Sequence, residues 1–446
     1  MIDFFKKQTR REHPEIAEKL LDSLESATPV SVRANMRKFD SARHGFPAPV
    51  KANVSWEPDG FYLGERPVFT LDPLFHAGGY YVQEASSMWV GNVVRQLKNG
   101  PVNVLDLCAA PGGKSTHLAS VLESGDLLVT NEVHRSRVQV LTENMIKWGA
   151  PNVVVTSNEA SHFQSIGSWF DMILVDAPCS GEGLFRRDPN AMTEWSPEAV
   201  TACSARQQQM LNDIWPALKP GGFLIYSTCT FNKSENDVQV HQLLSSGEAT
   251  SVRIETDPAT GIIEDVLEDD VYMYRCFPGF VEGEGFTFSV LRKSTDTPVT
   301  YGESRNKARL RKEKSHPFAD ALMEKQDFTF LANDKQFFAV PAKFARKVMV
   351  LDDILHIHHA GVELGDEKRP GQSLAMSTVL HRGFFEEIAF TKDEALDYLR
   401  RQSVSCERSE HGIRLLAYEG LPLGFGKAVK GRINNHYPAE WRIRNL

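Results

Sequence analysis

A chain of 446 residues exceeds what one hydrophobic core usually holds, about 250–300 residues, so at least two folded units are expected. Its 41% hydrophobic and 24% charged residues are those of a globular protein and exclude extended disorder. The formal net charge of −8 argues against a generally basic nucleic-acid binder, so any RNA-facing surface must come from local patches. Residues 303–314 carry six basic residues against two acidic ones, and residues 427–444 carry Lys427, Lys430, Arg432, Arg442 and Arg444 against Glu440. Taken singly, each patch reads equally well as a solvated charged face.

The opening MIDFFKKQTRR becomes charged before an apolar segment forms, so no secretory signal is expected. No apolar run approaches the ~18 residues that span a bilayer. Cys108, Cys179, Cys203, Cys229, Cys276 and Cys406 form no CxxC pair, which argues against a disulfide framework or zinc ribbon and fits a reducing cytoplasm. Residues 14–26 read as an amphipathic helix with Ile16, Leu20, Leu21 and Leu24 on one face. In VSVRANMRK, Val30, Val32, Ala34 and Met36 alternate inward with Arg33, Asn35 and Arg37 outward, a half-buried strand. Residues 1–77 are therefore expected to form a small α+β unit.

From residue 85 the pattern becomes regular. A helix over 85–97 precedes the strand VNVLDLC, and a glycine turn leads into a helix from Lys114. LLVTNE is a second strand, followed by a helix with Val138, Leu141, Met145 and Trp148 on one side. VVVT and MILVDAP are further strands, and Ser196-Pro197-Glu198 starts a helix that stops before FLIYSTC. Strands alternating with helices predict a doubly wound, Rossmann-like α/β sheet over 78–293, with ligands at the carboxyl ends of its strands. Residues 294–315 are polar and aperiodic and read as a linker. Residues 316–446 mix short strands with a helix near 392–401.

Three stretches carry chemistry. Asp106-Leu107-Cys108-Ala109-Ala110-Pro111-Gly112-Gly113-Lys114 follows a strand and opens a helix, where small residues let a nucleotide-like ligand approach main-chain amides. Taken alone, a glycine pair after a strand is weak, and no GxxxxGK[ST] is present. Glu132 ends the next strand, 26 residues after Asp106, where a carboxylate suits a ribose diol; an ordinary solvated acid is the plainer reading. Glu159, past the third strand, is placed for the exocyclic amine of adenine. DAPCSGEG and YSTC each put a cysteine, Cys179 and Cys229, just beyond an apolar strand. One such thiol is commonly a small buried hydrophobe, but two at consecutive strand ends suggest nucleophilic chemistry, with Lys114 or helix N-termini lowering a thiol pKa.

Together YYVQEASS, DLCAAPGGK, NE, DAPCSGEG, FRRDP and YSTCTFNKSEN resemble the successive motifs of the Nol/Nop/Sun family of RNA cytosine-C5 methyltransferases. DAPCSGEGLFRRDP is most similar to the family's bacterial 16S ribosomal-RNA branch. The resemblance is strong over 78–240. SVRANMRK resembles the family's N-terminal RNA-binding unit, and GLPLGFGKAVKGRINNHYP its PUA-like end.

The resemblance implies S-adenosylmethionine as cofactor, held by Cys108, Ala109, Ala110, Pro111, Gly112, Gly113, Lys114, Glu132, Arg137, Glu159 and Asp176. Glu159 stands where relatives more often carry aspartate. It also implies Cys229 as the nucleophile on cytosine carbon 6, Asp176 on ring nitrogen 3 and the amino group, Lys114 assisting, and Cys179 helping to release product. The base must leave its stack to reach such a site. The expected partner is ribosomal RNA or the 30S subunit, with no membrane, no metal and a monomeric chain.

His356, His358 and His359 look like a metal cluster but lack further ligands, and Trp89 and Trp148 sit on helical stripes expected to be core. Small-molecule or protein methylation would leave the cysteine pair unexplained, and a DNA cytosine methyltransferase would use Cys179 as its nucleophile. A transfer-RNA methyltransferase and a catalytically silent RNA-binding assembly factor remain as alternatives.

Overall fold

The computed structural model describes residues 2–302, 308–405 and 411–444. Cys406 and part of the first basic patch, residues 303–307, lie outside them.

The largest sheet is built around five parallel strands in the order Leu218–Thr228, Phe170–Asp176, Asn103–Asp106, Leu127–Asn131, Val153–Thr156. Alternate residues serve opposite faces. Val104, Leu128, Met172 and Leu174 pack with Trp89, Val93, Leu118, Leu141 and Met145 from the helices Trp89–Leu97, Gly113–Val121 and Arg135–Trp148. Leu105, Val129, Ile173 and Val175 pack on the other side with Leu211 and Ile214 of the helix Pro197–Ile214. Ser196 caps that helix, its hydroxyl accepting from Ala199 N at 3.1 Å. Burying both faces explains why these strands are near-continuous apolar runs rather than alternating ones. The chain reverses strand order between Asn103–Asp106 and Phe170–Asp176, so their carboxyl ends flank the crevice where doubly wound sheets bind ligands. Antiparallel strands Phe286–Lys293, Val271–Cys276 and Ile263–Leu267 extend one edge.

The other edge is closed from beyond the linker. Strand Ile357–Ala360 pairs antiparallel with Val153–Thr156, and helix Ala342–Ile354, absent from the sequence reading, adds Phe344, Val348 and Leu351 to the core. His356 and His359 lie on this edge. The His356 main chain bonds to Ser157 N and the Asn158 side chain, and the buried His359 ring lies 3.0 Å from Gly361 O. Trp89 and Trp148 are both 2% exposed, in the core. The chain ends in a five-stranded sheet with helix Lys392–Leu399. On its outer side Lys427, Lys430 and Arg432 are exposed, as are Arg442 and Arg444. No described helix is long and apolar enough to cross a membrane.

Two N-terminal expectations are corrected. The helix expected over 14–26 is confined to Ala17–Ser23, and a longer one, Ile2–Glu12, precedes it; its apolar signal is only Ile2, Phe4 and Phe5 at one end of a charged segment. Strand Val30–Ala34 forms, but its polar side does not face water: Arg33 is 0% and Asn35 1% exposed, whereas Met36 is 55% exposed. The reason is docking of the N-terminal sheet on the large domain. Arg33 donates to Gln83 Oε1 (2.8 Å), Ser120 Oγ (3.0 Å) and Thr116 Oγ1 (2.8 Å), and lies over the Trp148 ring at 4.5 Å. Asn35 donates to the Gly78 and Trp148 carbonyls.

Candidate active site

Asp106 ends its strand fully buried, with Oδ2 accepting from Ser115 Oγ at 2.7 Å and Oδ1 without a hydrogen-bond partner. Burial pushes its carboxyl up to about 7. The loop that follows is fixed from outside. Ala109 N donates to Asn131 O at 2.9 Å, Arg137 Nη2 to Ala110 O at 2.7 Å, and Asn144 Nδ2 to Pro111 O at 2.7 Å. Gly112 sits at φ 117°, a conformation that side chains rarely adopt, and a Cβ there would lie 3.2 Å from that of Asn144. The carbonyls are thus tied down, while the first amides of helix Gly113–Val121, which have no intrahelical acceptor, are left for a ligand.

Glu132 stands at the adjacent strand end, 3% exposed, with Oε1 accepting from His134 N (2.9 Å) and Oε2 3.3 Å from Arg137 Nη1. Glu159 is exposed, just before the short helical turn Ala160–Ile166, and no described contact ties it to Glu132. Cys108 lies 3.4 Å from Met210 Sδ, its thiol pushed well above the ordinary range by burial. A buried carboxylate with a free oxygen, a second oriented carboxylate and a glycine turn at a helix start fit a cationic, hydroxyl-bearing nucleoside. S-adenosylmethionine is such a group.

Asp176 joins the two halves of the site. Its Oδ2 accepts from Lys114 Nζ at 2.8 Å and its Oδ1 from Ser227 Oγ at 2.9 Å, so two strand ends and the start of helix Gly113–Val121 meet on one carboxylate. Burial works to lower the Lys114 ammonium, yet Asp176 holds it above its ordinary range. Beyond Asp176 the two predicted cysteines converge: Cys179 Sγ and Cys229 Sγ are 3.2 Å apart and half-buried. The hydrogen bond with Cys229, and then burial, push the Cys179 thiol well above its ordinary range.

Sequence reasoning missed the groups that hold these loops. Glu182, 1% exposed, accepts from Phe231 N (2.7 Å), Asn232 N (3.0 Å) and Trp195 Nε1 (3.1 Å). Glu235, 0% exposed, accepts from Ser180 N (2.9 Å), Gln207 Nε2 (2.8 Å) and Asn232 Nδ2 (2.8 Å). The available signal was acids and amides inside small-residue motifs, DAPCSGEG and STCTFNKSEN, where buried polar groups must be paired.

The parallel sheet, glycine loop and strand-end acids define a Rossmann-like methyltransferase. The fold is shared with a methyltransferase homolog protein from Pyrococcus horikoshii, 26% identical, covering 65% of this chain and 94% of that one at a TM-score of 0.55. NSun6 from Pyrococcus horikoshii, solved with SFG, is 19% identical, covers 65% of this chain and 98% of that one, and gives a TM-score of 0.53. Residues 93–292 match the model of "16S rRNA methyltransferase RsmB/F", residues 3–85 that of the N-terminal domain of 16S rRNA methyltransferase RsmF, and residues 385–443 that of the methyltransferase RsmF PUA domain. Ribosomal RNA small subunit methyltransferase F of Aliivibrio fischeri is 31% identical, over 87% of this chain and 85% of that protein; its Serratia proteamaculans counterpart is 30% identical over 87% and 84%. The chain belongs to the RsmB/F family of 16S rRNA methyltransferases.

Proposed function

We propose that this protein methylates carbon 5 of a cytosine in 16S ribosomal RNA, with S-adenosylmethionine as methyl donor and a transient Cys229 adduct at carbon 6. The observation that carries the reading is the pair of thiols 3.2 Å apart beside Asp176, at the carboxyl ends of neighbouring parallel strands. Held by loop 108–114, Glu132, Arg137, Glu159 and Asp176, the cofactor supplies a methyl electrophile.

Carbon 5 of cytosine is too weak a nucleophile to take that methyl unaided. Addition of the Cys229 sulfur to carbon 6 places electron density on carbon 5, dividing one hard step into two easier ones. Asp176, oriented by Lys114 and Ser227, is placed to hold ring nitrogen 3 and the amino group as charge develops there. The carbon 5 proton then passes to a base at the site, the role for which Cys179 as thiolate is placed; the electrons of that C–H bond restore the carbon 5–carbon 6 double bond, and the Cys229 sulfur leaves as a thiolate. The exposed Lys427, Lys430 and Arg432 are suited to phosphate contacts outside the site.

The names of the relatives support ribosomal over transfer RNA. The test is transfer of a labelled methyl group to 30S subunits, free 16S rRNA and transfer RNA, followed by bisulfite mapping. Label at a 16S cytosine is expected; label on transfer RNA alone would overturn the substrate assignment.

A further inference from the structure

The N-terminal helix lies far from the cysteines in sequence but against their loops in space. Phe5 meets Phe185 edge-on at 5.1 Å and Trp195 at 5.7 Å, pressing on the segment that leads away from Cys179. Glu12 Oε2 accepts from Lys233 N at 2.9 Å. His13 Nε2 lies 2.8 Å from Phe231 O, and its ring packs edge-on against Phe277 at 5.1 Å. A carbonyl only accepts, so the His13 ring carries a proton on Nε2 and donates it.

These bonds join others that hold the same loop. Gly183 N donates to Cys229 O (2.8 Å), Glu182 takes the Phe231 and Asn232 N–H groups, and Thr287 Oγ1 donates to Thr230 O (3.0 Å). Among the described residues, the groups from outside the methyltransferase sheet and its loops that fix the main chain over 229–233 are Glu12 and His13.

We propose that the helical hairpin 2–23 is a positioning device for the nucleophile, with Glu12 and His13 fixing loop 229–233 and so the place of the Cys229 sulfur. Both are positioning residues, since neither touches the sulfur. The inference rests on the reading of Cys229 as the nucleophile. A displacement of about 1 Å at a reacting group costs on the order of a hundredfold in rate, so small slackness in this loop is costly.

The test uses the full chain carrying Cys179→Ala, in which the RNA adduct is expected to accumulate, with 30S subunits lacking the modification and S-adenosylmethionine. Glu12→Ala and His13→Leu, added singly, should slow adduct formation about ten- to a hundredfold while leaving cofactor affinity, measured by calorimetry, unchanged. Glu12→Gln and His13→Gln keep an acceptor and a donor at similar reach and should recover most of the rate. Unchanged rates in the Ala and Leu variants would overturn the inference. So would a loss of cofactor affinity in step with the rate, or glutamine variants as slow as the others. No adduct from Cys179→Ala alone would instead overturn the reading of Cys229, and the inference with it.

Discussion

At Glu132 the chain buries a carboxylate at a strand end, orients it with the His134 N–H and sets Arg137 beside it. Such a group is costly to bury unless it meets donors, and a ribose diol supplies two. Glu132→Ala is therefore expected to weaken S-adenosylmethionine binding by about 1–3 kcal/mol, measured by calorimetry, and unchanged binding would contradict the assignment. The cysteines, Asp176 and the glycine turn were readable as residues because each sits at the end of an apolar strand. Glu182 and Glu235 were not. They accept main-chain N–H groups of loops whose shape exists only once the sheet has placed Cys179 and Cys229 together.

Among the elements, strand Val30–Ala34 shows how a correct secondary structure can carry a wrong environment. Its alternation was legible, but Arg33 points into the large domain rather than to water, and no periodicity encodes where a second domain will dock. The guanidinium is fully buried against Gln83, Thr116, Ser120 and Trp148, and burial lowers it to about 10, so it remains charged at neutral pH. Thr116 and Ser120 lie on helix Gly113–Val121, the helix that opens at the glycine turn, so Arg33 braces that helix. Arg33→Ala leaves a cavity and unpaired acceptors, and should destabilise the protein by about 2–4 kcal/mol in urea unfolding. A variant with the wild-type midpoint would show the brace to be unimportant. Helix Ile2–Glu12 was missed because its burial depends on Phe5 meeting Phe185 and Trp195, partners some 180 residues away.

Three histidines are buried in different parts of the molecule, His117 with its Nε2 2.9 Å from Glu57 Oε2. Burial lowers His76 to about 3, and His117 and His359 to about 4. The folded-state values lie below the ordinary 6.5, so between pH 6.5 and 4 the unfolded chain binds more protons than the native one. Their contribution to stability is fully present above pH 6.5 and is lost as pH falls toward 4, against the opposite contribution of Asp106 and Glu284, both pushed up to about 7 by burial; the His359→Gln protein should therefore lose less of its denaturation midpoint between pH 7.5 and 5 than the unsubstituted chain, and an equal loss would contradict the burial of a neutral His359. The alternation of strands and helices in the central sheet was legible from the pattern, but strand Ile357–Ala360 returning to that sheet was not, because its pairing partner lies about 200 residues earlier. The central claim is that two thiols 3.2 Å apart do different jobs, Cys229 attacking and Cys179 releasing. A denaturing gel of the Cys229→Ala and Cys179→Ala proteins with substrate RNA tests it most directly. The expected result is no adduct and no methyl transfer from Cys229→Ala, and a stable, slowly migrating protein–RNA adduct from Cys179→Ala; an adduct from Cys229→Ala with none from Cys179→Ala would reverse the roles, and methylation intact in both would contradict covalent catalysis.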